Sequence, residues 1–299
     1  MKKLSIIFIG LLFILSACGQ GTGDDEIVIS VSGKSYTEQI LLTHIMSIAL
    51  EENTDLTINS RPDTGATDIL HPAIQQGEID IYAEYTGTAY MIVMDQELDT
   101  TDPDVIYDRV KEYYQEEFDI TWLDPYHFNN TYAIAVNRNT AEELGLKTVT
   151  DLVEHASEMT LGSDFDFLER SDGLTNFNAK YGIQEWGRNV GMDPGLMYAA
   201  IKEEEVDAIT AYATDGRIPR FDLVLLEDDQ QYFPPYFAAP IIRNEVLEAH
   251  PEIADVLNQV SPHLTMETMA ELNSKVDIDG DLESKVAREF LIEIGLIEN

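Results

Sequence analysis

The sequence predicts an α/β protein of two lobes, and two observations carry that expectation. Strand-like apolar runs alternate with helix-like runs along the chain, and one such unit occurs twice. A strand, a short loop and a helix form the opening of an α/β unit. Residues 26–32 (EIVISVS) read as the first strand. Ser35-Tyr36-Thr37-Glu38 follows with the S-x-x-E spacing of a capping box, which predicts a helix to about Glu52. Ile40, Leu41, Ile45, Ile48 and Ala49 supply apolar positions of that helix. The alternation continues with a strand over 56–60, a helix over 68–76 and a strand over 79–82. A strand over 133–136 and a helix over 148–155 come next, and the C-terminal part holds helices near 253–257, 265–272 and 282–294.

The repeated unit is short but regular. Ile74 through Asp80 (IQQGEID), then Tyr85 and Thr86, is matched by Ile201 through Asp207 (IKEEEVD), then Tyr212 and later Thr214. The Ile-to-Asp and Asp-to-Tyr offsets agree in both copies. Each copy reads as a helix end, a turn and a strand that delivers a tyrosine at its carboxyl end. Ligands of open α/β sheets bind beyond the carboxyl ends of strands. Two such units imply two lobes, each offering a tyrosine to a shared cleft.

Composition narrows the partners and the compartment. The 299 residues fit one large domain or two medium ones, and a 44% hydrophobic content is ample for buried cores. The formal net charge is −38, from 18 Lys+Arg against 56 Asp+Glu. Such a surface repels phosphate backbones, so no nucleic-acid partner is expected. The acidity fits a protein working outside the cell in salty or alkaline surroundings, and equally a plain solvated face. Lys2 and Lys3 precede a nearly unbroken apolar run over 4–15, followed by Leu15-Ser16-Ala17-Cys18. The run is short of the roughly 20 residues that span a bilayer, but it suits a signal peptide. Cys18 is the only cysteine, so an internal disulfide is impossible, and its setting resembles a bacterial lipobox. The expected division is a leader over 1–17, then a lipidated Cys18 and polar tether over 18–26. The competing reading is an ordinary signal peptide with an incidental thiol.

Catalytic and metal motifs fail on spacing. Gly33-Lys34-Ser35 ends like a P-loop, but the required earlier glycine is Val28. The carboxylates of 277–283 do not fit an EF-hand loop. There is no G-x-S-x-G elbow and no H-E-x-x-H, so no enzyme, cofactor or metal is expected.

Five stretches carry a family resemblance: Gly33-Lys34-Ser35-Tyr36-Thr37-Glu38-Gln39, Glu84-Tyr85-Thr86-Gly87-Thr88-Ala89-Tyr90, Asn130-Thr131-Tyr132-Ala133, Ala211-Tyr212-Ala213-Thr214-Asp215-Gly216-Arg217 and Pro234-Pro235-Tyr236. Together and in this order they resemble the substrate-binding proteins of osmoprotectant ABC transporters, the glycine betaine/carnitine/choline receptors. The resemblance implies a two-lobed class II binding-protein fold with the ligand cleft between lobes. It implies crossings near Phe128 and Pro235, with one lobe over 27–127 plus 235–299 and the other over 128–234. By the resemblance, Tyr85 and Tyr236 from the first lobe and Tyr132 and Tyr212 from the second box a trimethylammonium head. Lys34, Thr88 and Arg170 then hold the ligand carboxylate, and the backbone carbonyl of Asn130 touches the cation. Some choline-restricted relatives carry an acid at the position of Thr88 and lack the lysine, so Lys34 and Thr88 favour zwitterionic betaines. Tyr198, in a predicted helix, is assigned to the core.

The chemistry agrees. A quaternary ammonium has no N–H, so a carboxylate cannot fix it by hydrogen bonds, whereas an aromatic face attracts it through the ring quadrupole. Each face contributes about 0.5–1 kcal/mol when exposed and about 2 kcal/mol or more when desolvated. Four faces supply a good part of the roughly 8 kcal/mol of a micromolar site. The expected protein is thus an extracytoplasmic, membrane-anchored receptor that captures glycine betaine or a similar osmolyte and hands it to an ABC permease. A choline- or carnitine-preferring receptor is the alternative within the class. A lipid-anchored enzyme and a surface adhesin or sensor are the rivals outside it.

Overall fold

The computed structural model describes residues 28–170 and 173–299, so the leader, Cys18 and the tether lie outside the described residues. Ten strands run in chain order as β1 (Val28–Lys34), β2 (Thr57–Gly65), β3 (Ile81–Tyr85), β4 (Ile120–Trp122), β5 (Tyr132–Asn137), β6 (Thr160–Ser163), β7 (Arg188–Gly191), β8 (Ala208–Tyr212), β9 (Leu223–Leu226) and β10 (Ala238–Arg243). They form two five-stranded sheets, ordered β2-β1-β3-β10-β4 and β7-β6-β8-β5-β9.

The two sheets share one plan. In the first, β1 pairs in parallel with β2 and β3, while β10 is antiparallel to β3 and β4. In the second, β6 pairs in parallel with β7 and β8, while β5 is antiparallel to β8 and β9. The chain leaves the first sheet after β4, builds the second, and returns at β10. At the crossing the outgoing and returning segments lie side by side. Asn129 bridges Phe237, the Asn130 amide donates to the Tyr236 carbonyl at 3.1 Å, and the Tyr236 amide donates to Asn129 Oδ1 at 2.7 Å.

The echo in the sequence is a repeated structure. Helix Thr67–Gln75 and helix Pro194–Lys202 each end in a turn that enters β3 or β8, and each strand closes on its tyrosine. The aspartates do the same work. Asp80 accepts the Ser30 amide at 2.8 Å and donates its own amide to the Ser30 carbonyl at 2.9 Å. Asp207 accepts the Thr160 amide at 2.7 Å and donates to the Thr160 carbonyl at 2.9 Å. Each aspartate clamps the turn onto the neighbouring parallel strand, which fixes where the tyrosine emerges.

Helix Thr37–Asn53 starts and ends where the apolar pattern predicts, and it buries Leu41, Leu42, Ile45, Met46, Ala49 and Leu50. A helix apolar around most of its girth belongs inside the protein. Its start departs from expectation: the N-cap is Tyr36 in extended backbone, with no side-chain cap. The predicted capping box at Ser35 to Glu38 is therefore not formed, because the Glu38 carboxylate is engaged elsewhere. A capping box does form at Thr148 and Asp151, which accept each other's backbone amides. The helix expected over 148–155 is split into Val149–Leu152 and a 3₁₀ turn at Ala156–Glu158.

Gly33 shows how tightly β1 meets that first helix. A Cβ there would lie 2.0 Å from Thr43 Oγ1 and 2.9 Å from the Gln39 carbonyl. Each sheet has its own apolar layer, around Tyr82, Tyr114, Trp122 and Ile241 on one and around Met197, Tyr198, Ile201 and Ile209 on the other. Among the described residues no helix is long and apolar enough to cross a membrane.

The paired aspartates differ in burial and in partners. Asp80 is buried and also accepts Arg243 Nη1 at 2.9 Å, whereas Asp207 is exposed. Asp80→Ala is expected to cost about 2–3 kcal/mol, since it removes the acceptor of the half-buried Ser30 amide and one of the two acids paired with Arg243, and Asp207→Ala about 1 kcal/mol. Denaturant unfolding of the two variants checks the order, and a reversed order would contradict the clamp.

Candidate functional site

All eight residues singled out from the sequence line one cavity of about 430 Å³: Lys34, Tyr85, Thr88, Asn130, Tyr132, Arg170, Tyr212 and Tyr236. The fold explains the convergence. Lys34 ends β1, Tyr85 ends β3 and Tyr212 ends β8, so three come from carboxyl ends of strands. Tyr132 opens β5 directly opposite Tyr212 in the register. Asn130 and Tyr236 lie on the paired crossing segments, and Thr88 lies in the helical turn Thr86–Thr88, which continues as a π-helical turn, Ala89–Val93. Arg170 follows the short helix Phe165–Glu169 and is half-buried.

The aromatic rings stand close together along the cavity wall. Tyr132 is 5.1 Å from Tyr212 between centroids, at 37°, and 6.1 Å from Tyr236, nearly perpendicular at 83°. Gly87 lets Tyr236 approach, because a Cβ at position 87 would sit 2.7 Å from the Tyr236 ring. Tyr36, which the sequence reading did not assign, also lines the cavity and stacks on Tyr212 at 6.2 Å and 8°. Tyr198, assigned to the core, is fully buried there. Its hydroxyl accepts the Tyr212 amide at 3.1 Å, and Arg217 lies over its ring at 4.2 Å.

The hydroxyls of the wall tyrosines point to acids. Tyr85 donates to Glu38 Oε1 at 2.6 Å, with the Tyr36 hydroxyl beside it. Tyr212 donates to Asp164 Oδ2 at 3.3 Å, with the Tyr132 hydroxyl also beside it. Burial, with these neighbouring charges, holds the phenols of Tyr36, Tyr85 and Tyr212 well above the usual range, so the rings stay neutral. Asp164 spends its other oxygen on the Phe167 amide at 2.7 Å, at the start of the helix leading to Arg170.

Glu38 has four donors around it. Besides Tyr85 it accepts Asn130 Nδ2 at 2.8 Å, Thr214 Oγ1 at 2.5 Å and Asn273 Nδ2 at 3.3 Å. Burial raises its pKa, and the hydrogen bonds from Thr214, Tyr85, Asn273 and Asn130 oppose the rise. It faces a second cavity of about 340 Å³ that shares Tyr36, Asn130 and Tyr212 with the first.

Lys34 is where the sequence placed it, but it has a protein partner. Its Nζ lies 2.5 Å from Glu84 Oε1, in a buried pair, and 5.1 Å from the Tyr85 ring centroid. Glu84 also accepts the Tyr85 amide at 2.7 Å and the Tyr82 hydroxyl at 3.2 Å. The Asn130 side-chain amide likewise donates to Glu38.

Sequence reasoning missed Tyr36, Glu38, Glu84 and Asp164. The duplication could have found Asp164. Val31 pairs with Ile81 in the first sheet as Leu161 pairs with Ala208 in the second, so Lys34 and Asp164 occupy matching positions. Among the described residues no group of three or more His, Cys, Asp and Glu could hold a metal.

Comparison with known proteins places the chain in a family. A family model described as the substrate binding domain of ABC-type glycine betaine transport system matches residues 27–293. The carnitine transport binding protein OpuCC of Listeria monocytogenes is 35% identical over 301 residues, covering 97% of both chains. A glycine-betaine-binding protein of Pseudomonas aeruginosa is 37% identical over 283 residues, covering 90% of this chain and 88% of the other. A crystal structure of a glycine betaine/carnitine/choline ABC transporter protein superposes with a TM-score of 0.77 at 32% identity, covering 90% of this chain and all of that one. The two-sheet architecture is thus the two-lobed binding-protein fold.

The Tyr198 hydroxyl generates a stability prediction. Tyr198→Phe strands the Tyr212 amide and is expected to cost about 1–2 kcal/mol in denaturant unfolding. An unchanged midpoint would show that the bond contributes nothing.

Proposed function

Since the chain belongs to the family of substrate-binding domains of ABC-type glycine betaine transport systems, we propose that it captures glycine betaine or a close quaternary-ammonium relative in the tyrosine-walled cavity. The observation that carries this reading is the convergence of Tyr85, Tyr132, Tyr212 and Tyr236 on one cavity from both sheets and the returning crossing segment. Ring faces are the protein groups that attract a cation unable to donate a hydrogen bond. The work is capture without chemistry, followed by delivery to a membrane permease.

The lobes on this reading are 27–127 plus 235–299 and 128–234, with the paired segments at Asn129 and Phe237 as the hinge. Each lobe carries half of the cage, so a ligand bridging the halves favours the closed form by the contacts that only closure makes. Lys34, Thr88 and Arg170 receive the carboxylate end. Thr88 is buried at the cavity wall, and Arg170 offers a planar fork that can grip a carboxylate with two hydrogen bonds. Lys34 acts as a charge shared between Glu84 and the ligand. The leader and Cys18 fit a lipid anchor on the extracytoplasmic face of the membrane.

Carnitine is the second reading. A cavity of about 430 Å³ has room for a betaine longer than the smallest one. Calorimetric titration of the mature protein with glycine betaine, proline betaine, carnitine and choline decides among them. No heat from any methylated ammonium compound would refute the reading.

Two variants probe the cage. Tyr212→Ala is expected to lose at least about tenfold in affinity, or about 1.4 kcal/mol, through the missing face. Gly87→Ala drives a methyl group against the Tyr236 ring and is expected to weaken binding by a similar factor. Both are read by the same titration, and wild-type affinity in both would count against the cage.

A further inference from the structure

Glu38 is conspicuous for what it does not do. It sits at the second residue of helix Thr37–Asn53, in a sequence that spells a capping box, yet it caps nothing. Its carboxylate is buried, and burying an anion costs several kcal/mol unless hydrogen bonds compensate. Four donors do so, from β3 (Tyr85), the outgoing crossing (Asn130), the segment after β8 (Thr214) and helix Met266–Asp277 (Asn273). Because all four are donors, the anion rather than the acid fits the setting.

Glu38 faces the smaller cavity and meets the ligand cavity through Tyr85 and Asn130, of which Tyr85 alone offers a ring face. The hydrogen bond between them is short, at 2.6 Å, and charge-assisted, the strong kind. Donation of a phenolic proton to a carboxylate shifts electron density onto the oxygen and into the ring, which deepens the negative face that a cation feels. The Tyr36 hydroxyl lies beside the same phenol.

We infer that Glu38 is a positioning residue of the ligand site, which holds the Tyr85 ring and enriches its face toward the quaternary ammonium. The inference rests on the betaine-capture reading and adds a specificity element to it. A carbon isostere without the positive charge gains nothing from an enriched face.

The test compares the mature wild-type protein with Glu38→Gln, Tyr85→Phe and the double variant. Each is titrated with glycine betaine and with tert-butylacetate, in which a quaternary carbon replaces the nitrogen. Each single change is expected to weaken glycine betaine by about fivefold, and tert-butylacetate by less than about twofold. The double variant is expected to be no weaker than either single one, because both changes abolish the same charge-assisted hydrogen bond, one by removing the charge and the other the donor. Additive losses, or equal losses for the two ligands, overturn the inference by showing a direct charge effect or general damage to the site. If Glu38→Gln does not fold, Tyr85→Phe stands alone, and wild-type glycine betaine affinity there also overturns it. A wild-type protein that ignores glycine betaine overturns the capture reading itself, and this inference with it.

Discussion

A tyrosine that offers its face to a cation still has a hydroxyl to satisfy, and that constraint organises the site. An unpaired buried hydroxyl costs free energy comparable to the gain from one ring face. The hydroxyls must therefore be bonded on the side away from the ligand, without turning the rings. Tyr85 meets this requirement with Glu38, and Tyr212 with Asp164. The acids are in turn fixed by helix starts and backbone amides, so the ring orientations are set by the scaffold. A cage prepared in this way loses little conformational freedom when a ligand arrives.

The duplicated sheet plan supplies the two halves of that cage. Parallel pairs β1–β3 and β6–β8 both end at the cleft, and in each the second strand closes on the wall tyrosine. The halves have diverged in charge. Matching positions hold Lys34 in one sheet and Asp164 in the other, so the walls are alike in aromatic character and opposite in the charge beside them. A zwitterion presents the same polarity from end to end, which makes this asymmetry useful for orientation.

Much of this was legible in the sequence because it rests on local patterns. Apolar runs placed β1, β2, β3 and β5 and six of the helices within a few residues, and the IQQGEID and IKEEEVD copies announced the duplication. The eight site residues were reachable from family motifs, and the structure brings all of them to one cavity. What escaped was long-range. The S-x-x-E spacing pointed to a local cap, but Glu38 bonds residues 47, 92, 176 and 235 positions away. The Lys34–Glu84 pair spans 50 positions, and no local rule distinguishes a lysine held by a buried acid from one held by a ligand. Tyr36 was hidden by its place at a helix start, where a tyrosine reads as incidental.

The surface and the site solve different problems. A net charge of −38 makes a negative field that would draw cations in and push anions away. A betaine has no net charge, so that field steers it weakly, and in saline surroundings exposed charges are screened within roughly 10 Å or less. Affinity for such a ligand has to be made at contact, behind walls that exclude water and salt. On the proposed reading, buried rings do this for the cation, and a buried, internally paired Lys34 keeps the opposite charge close to the carboxylate end. The acidic exterior can then serve solubility alone, because discrimination is left to groups that the solvent does not reach.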